Sequence, residues 1–182
     1  MKELKHNILL QKIQLEKDSD SFAQIYDVYV EKMYRFVYFK IGNKQESEDI
    51  TSELFLKLWK YLTDRDGKNK IDSLNGLIYQ MARNLVIDHY RTKAKKQECS
   101  IEQINHIPDE RDLEDATHVA IESERLLKHI RKLKQEYQEV VLLKYIEGLS
   151  TKEISLATGK KKTAIRVTIH RAMKVLQKML DE

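Results

Sequence analysis

Four carboxylates crowd one short stretch, Glu46, Glu48, Asp49 and Glu53, and Asp49 and Glu53 stand one helical turn apart. Such residues can ligate a divalent metal, act as a general acid/base pair, or present a solvated or protein-docking face. No histidine lies near them in sequence, which favours a face over a catalytic centre. A second cluster follows Gly159, where Lys161, Lys162, Arg166, His170, Arg171 and Lys174 recur at helical spacing. Arg166 and His170 share one stripe, with Lys162 a turn earlier, and cations so placed can bond guanine edges in a major groove. Arg171 and Lys174 fall on the neighbouring stripe, where phosphate contact is the better fit. An ordinary helical hairpin with a solvated lysine face is the plain alternative. A third candidate is the basic stretch Arg83, His89, Arg91, Lys93, Lys95 and Lys96, with Asn84 and Asp88 among its polar residues, which can hold phosphates or an unstacked base. Trp59 and the tyrosines could stack on single-stranded bases, although aromatics at helical spacing are ordinarily core. The six histidines are scattered and suggest neither a zinc site nor a catalytic triad, so no metal and no cofactor is expected.

Helices must position all of these groups. Apolar residues recur at three- and four-residue spacing, no run alternates as a half-buried strand does, and the chain has five Gly and one Pro. The expected fold is therefore all-α. A first helix over about 3–17 would bury Leu4, Ile8 and Leu15. A second, capped by Asp20 or Ser21 with Gln24 completing a capping box, would turn Phe22, Ile25, Tyr26, Tyr29, Met33, Phe36 and Val37 inward and stop at Gly42. Asn43 and Glu46 are spaced to open a third, with Ile50, Leu54, Phe55, Leu58 and Leu62 buried and all four carboxylates opposite. After a polar loop, Asp72 or Ser73 begins a fourth, with Leu74, Leu77, Ile78, Met81, Ala82 and Leu85 inward. A helix through Leu126, Leu127, Ile130 and Leu133 then continues to Ile146 and ends at Gly148. The box Ser150-Thr151-Lys152-Glu153 starts a short helix holding Ile154 and Ala157. Gly159 turns the chain into a last helix from Lys162, with Ile165, Ile169, Ala172 and Leu176 on its inner side. A short capped helix, a Gly turn and a longer basic helix make a helix-turn-helix.

The 182 residues allow one ordinary domain or two small ones, and the charge pattern favours two. The net +4 divides into +4 over 1–96, −6 over 97–120 and +6 over 121–182. Two basic modules, 1–96 and 121–182, are thus expected around an acidic linker, 97–120, which also holds Pro108 and has lost its helical periodicity. Met1-Lys2-Glu3-Leu4-Lys5 holds no apolar run and no stretch is long and apolar enough to insert in a membrane, so a cytoplasmic protein without a signal peptide is expected. Cys99, the one cysteine, has no partner in the chain and reads as an incidental surface thiol.

The ordered set of motifs resembles the two-domain, extracytoplasmic-function (ECF) type of bacterial RNA polymerase sigma factors. Phe22 to Phe36 (FAQIYDVYVEKMYRF), Glu48 to Trp59 (EDITSELFLKLW) and Leu77 to Arg91 (LIYQMARNLVIDHYR) match the first module. Leu133 to Ser150, Lys152-Glu153-Ile154-Ser155 and Ile169-His170-Arg171-Ala172 match the second. The resemblance implies that the acidic helix docks through Glu48, Asp49, Ser52 and Glu53 on a coiled coil of the largest subunit of core RNA polymerase, with Phe55 and Leu58 behind in the core. It implies that the fourth helix and the loop before it melt and read the minus-ten element of promoter DNA through Arg83, Asn84, Asp88, Arg91, Lys68 and Lys70. A base pulled from the stack can be read on its Watson–Crick edge at an unstacking cost of a few kcal/mol. The second module would read the minus-thirty-five element as duplex through Lys161, Lys162, Thr163, Arg166, His170, Arg171 and Lys174 while docking on the polymerase flap. An anti-sigma factor is a further partner the resemblance admits, and no catalytic residues are implied.

Three departures stand out. Ser52 replaces the family's usual Gln, and Leu77 its usual Trp. In the recognition helix Val167 and Thr168 remove a hydroxyl and a cation from the usual Lys/Arg-Ser-Arg triplet, so an unusual promoter preference is expected. Two other functions remain open on the residues alone. One is a stand-alone helix-turn-helix regulator with an N-terminal sensing or dimerising domain; the other is a metal-dependent nuclease using the acidic helix.

Overall fold

The computed structural model describes residues 2–64, 71–96 and 127–181, and the chain divides into two compact units, Met1–Pro108 and Asp109–Glu182. The described residues are helical and contain no strand. Lys68, Lys70, Cys99 and the acidic linker lie outside them.

The first unit packs four helices, α1 (Lys2–Glu16), α2 (Ser19–Ile41), α3 (Lys44–Thr63) and α4 (Leu74–Lys96). Its core joins Leu9, Leu10 and Ile13 of α1 to Ile25, Tyr29, Met33, Phe36 and Val37 of α2, Ile50, Leu54, Phe55, Leu58 and Leu62 of α3, and Leu74, Ile78, Tyr79, Ala82 and Leu85 of α4. The expected face of α1 is corrected: Ile8 and Leu15 are 52% and 72% exposed, because α1 presents the Leu9, Leu10 and Ile13 side to its neighbours. The start of α2 is corrected as well. Asp18 is the cap, accepting from the backbone N–H of Ser21 at 3.1 Å, and that bond holds its carboxyl below the usual range. Asp18 can cap there because Lys17 takes a left-handed conformation (φ 52) and turns the chain sharply out of α1. Asn43 caps α3 as its spacing predicts, accepting from the Glu46 N–H at 2.9 Å. Ser73 Oγ accepts from the Gly76 N–H at 3.2 Å, at the start of α4.

In the second unit, residues 127–132 (α5) are helical, followed by α6 (Gln135–Val141), a π-helical turn (Leu142–Ile146), α7 (Thr151–Thr158) and α8 (Lys162–Asp181). The single helix expected from Leu126 to Ile146 is therefore broken at Leu133 and Lys134. The buried Gln138 accounts for the break: its Nε2 donates to the carbonyls of Arg131 and Leu133, each at 2.8 Å, satisfying groups that a continuing helix would have bonded. Ile130, Leu133, Val140, Leu143, Leu149, Ile154, Ala157, Ile165, Ala172 and Leu176 form the core, with α8 packed on α6 and α7.

Candidate nucleic-acid interface

Position along a helix decides which candidates can act together. On α3, Asp49, Ser52 and Glu53 are exposed along one stripe, and their neighbours Ile50, Leu54 and Phe55 are buried behind them. Glu53 Oε1 sits 2.8 Å from Lys57 Nζ, an exposed pair one turn apart that leaves the carboxylate accessible. The Ser52 hydroxyl donates back to the Glu48 carbonyl at 2.9 Å. Glu48 is exposed one turn before Ser52, at the edge of this stripe; burial, and next the Glu48 carboxylate, raises the Tyr34 phenol above its ordinary value. Glu46 departs from the expected arrangement. It is half-buried and faces α4, with Oε1 3.2 Å from Lys93 Nζ and Oε2 3.3 Å from His89 Nε2. Packing at the α3–α4 seam thus takes Glu46 and His89 out of the accessible acidic and basic sets, while the Lys93 side chain, paired with Glu46, stays 48% exposed. Leu56, which belongs to none of the sequence-predicted sets, is 71% exposed one turn beyond Ser52 and Glu53. Its signal is a leucine out of phase with the buried positions Leu54, Phe55 and Leu58.

On α4, Asn84, Asp88 and Arg91 are exposed along one stripe, with Arg91 Nη1 3.5 Å from Asp88 Oδ1. Arg83 is half-buried and has a partner within the fold. Tyr90, between the exposed stripe and the α3 seam, donates to the Lys40 carbonyl at 2.5 Å and so ties α4 to the end of α2. Burial, and next the Glu46 carboxylate, pushes its phenol above the ordinary value of 10. Trp59 is half-buried and meets Phe22 edge-on with ring centroids 5.0 Å apart, and Tyr29 and Tyr79 are wholly buried. Trp59, Tyr29 and Tyr79 serve packing, whereas Tyr26, expected inward on α2, is 42% exposed beside Phe55. Among the described residues no group of three or more His, Cys, Asp or Glu is placed to hold a metal ion.

The turn into α8 is braced by side chains. Ser150 Oγ accepts from the Glu153 N–H at 3.2 Å while Glu153 accepts from the Ser150 N–H at 2.7 Å, so α7 starts at a complete capping box. Gly159 ends α7 with φ 71, a left-handed conformation that glycine takes without strain. Ser155 Oγ then donates to the Lys160 carbonyl at 2.6 Å, and Lys160 Nζ lies 3.8 Å from Glu136 Oε2 of α6. Beyond this turn Lys161, Lys162, Thr163, Arg166, His170, Arg171 and Lys174 are all exposed, opposite the buried Ile165, Ala172 and Leu176. The N-terminal half of α8 therefore carries its cations on one exposed face, a charge pattern suited to an anionic partner. Thr168 stands aside from this face, its hydroxyl donating to the Ala164 carbonyl at 2.9 Å.

Comparison with known proteins agrees with this division. Residues 25–96 match the model for sigma-70 region 2, and 123–176 that for sigma-70 region 4. The ECF RNA polymerase sigma factor SigW of Bacillus subtilis is 31% identical over 174 residues, covering 91% of each chain. The ECF sigma factor BldN of Streptomyces coelicolor is 30% identical over 166 residues, 91% of this chain, which spans 62% of that longer protein. In fold the chain is similar to CnrH, solved with the cytosolic domain of CnrY (TM-score 0.69, 20% identity, 97% of each chain). It is also similar to the sigma factor RpoE of Bartonella quintana, solved with the anti-sigma factor NepR (TM-score 0.70, 17% identity, 88% of this chain and 96% of that one). Among the described residues no helix is long and apolar enough to cross a membrane. With both regions in order and a relative of this identity matched over nearly its whole length, the chain belongs to the ECF RNA polymerase sigma factors, a family of promoter-directing transcription proteins and not an enzyme class.

Proposed function

We propose that this chain binds core RNA polymerase in the cytoplasm and directs promoter recognition, local DNA melting and transcription initiation, contributing no catalytic residues of its own. The carrying observation is that the unit matching sigma-70 region 2 carries an exposed acidic stripe on α3, and the unit matching sigma-70 region 4 an exposed cationic face on α8. Residues 1–96 and 121–182 act as the two modules, tethered by 97–120. Asp49, Ser52 and Glu53 dock on the coiled coil of the largest subunit, with Glu48 at the margin of the contact. Asn84, Asp88 and Arg91 face the minus-ten element, helped by Arg83 and by Lys68 and Lys70 of the preceding loop. Lys161, Lys162, Thr163, Arg166, His170, Arg171 and Lys174 hold the minus-thirty-five duplex, and the second module also meets the flap. RpoE of Bartonella quintana was solved with an anti-sigma factor, and a partner of that class would silence this chain by covering the same faces.

Reconstitution tests this reading. The purified chain mixed with core RNA polymerase is expected to form a stable complex and yield promoter-dependent transcripts. Tight binding to duplex DNA by the chain alone, with no core complex, would instead identify a stand-alone regulator.

A further inference from the structure

Val167 is 48% exposed in the N-terminal half of α8, amid cations. It lies one turn beyond Thr163 and Ala164 and one turn before His170 and Arg171, in the middle of the face opposite Ile165 and Ala172. A branched apolar side chain there costs hydration unless its target offers an apolar group. In the major groove each base pair shows donors and acceptors, and the C5-methyl of thymine is the apolar group available. Thr168 does not compete for the same surface, because its hydroxyl is bonded back to Ala164.

We infer that Val167 is a specificity-determining residue that packs against the C5-methyl of a thymine in the minus-thirty-five duplex, flanked by exposed Ala164, with Arg166 and His170 bonding neighbouring base edges. The inference rests on α8 occupying the major groove, as proposed above. The preferred element then contains a thymine that must keep its methyl.

The test uses the full chain assembled with core RNA polymerase. Duplexes with a randomised minus-thirty-five region are selected for binding, and each selected thymine is then replaced singly by deoxyuridine, which pairs identically but lacks the methyl. One position is expected to lose about fourfold in affinity, the worth of burying one methyl. Val167→Ser should bring that thymine-to-deoxyuridine ratio close to one, and Val167→Ile should restore it; Val167 is exposed, so neither change disturbs the core. An unchanged ratio in Val167→Ser, or a ratio of one at every thymine in the unaltered chain, overturns the inference. Arg166→Ala separates this from the wider reading. If it shifts the selected sequence while deoxyuridine has no effect, only the methyl contact falls; if neither Arg166→Ala nor Val167→Ser alters the selection, α8 does not read the groove and both proposals fall.

Discussion

Glu53 illustrates how a single side chain can be accessible and nearly neutral for stability. Its surface pair with Lys57 is of the kind worth about 0.5 kcal/mol, and Leu54 and Phe55 beside it keep their burial whatever occupies position 53. Glu53→Lys is therefore expected to leave thermal unfolding within a few degrees of the unaltered chain while weakening core polymerase binding about tenfold or more. Titration of labelled core enzyme measures this, and unaltered affinity would remove Glu53 from the docking face. Tyr90 behaves in the opposite way, being structural. Its phenol is raised above 10 by burial, so the folded state holds the proton more firmly than the unfolded chain. The stability it contributes is complete below the unfolded value and is lost as pH rises through the folded one. Tyr90→Phe should lower stability by about 1 kcal/mol near neutrality, through the lost bond to Lys40, and should flatten the decline above about pH 10 in urea titrations.

At the scale of elements, the presentation of α8 depends on a turn whose backbone allows little substitution. Gly159 has open space where a Cβ would stand, so its substitution tests conformation alone. Gly159→Ala is expected to cost about 1–2 kcal/mol through the left-handed backbone, and Gly159→Asn less, as read from urea midpoints. The cap sites show how local spacing translates into structure. Asn43, Gly42, Gly148 and the Ser150–Glu153 box are all placed as their spacing predicts, because each is an interaction within a few residues. Asp18 and the interruption at Leu133 are not. The first depends on Lys17 adopting an unusual backbone, and the second on Gln138 turning its amide inward onto two carbonyls.

For the whole molecule, two compact units on one chain raise the question of what the tether contributes. Two weak contacts joined by a linker reinforce each other through effective concentration, commonly by a hundredfold or more, with no new contact. A chain cleaved between Lys96 and Ile121 after folding is expected to lose about a hundredfold in promoter occupancy with core polymerase at limiting concentration, and to recover as the fragments are concentrated. Equal occupancy by cut and intact chains would show that one unit suffices. The charge division fits the proposed role, since an acidic stretch at 97–120 would be repelled by DNA bound on either side of it.

Helical periodicity, cap spacing and segmental charge are short-range properties, and so the all-α class, most helix boundaries and the ordered motifs of the two sigma regions were legible in the residues alone. Tertiary packing decided which face of each helix stayed wet. It turned Glu46 and His89 toward one another at the α3–α4 seam, buried Leu9, Leu10 and Ile13 in place of Ile8 and Leu15, and left Leu56 and Val167 exposed among polar neighbours. Sequence spacing places residues around a helix axis; only the neighbouring helices determine which directions from that axis meet protein and which meet solvent.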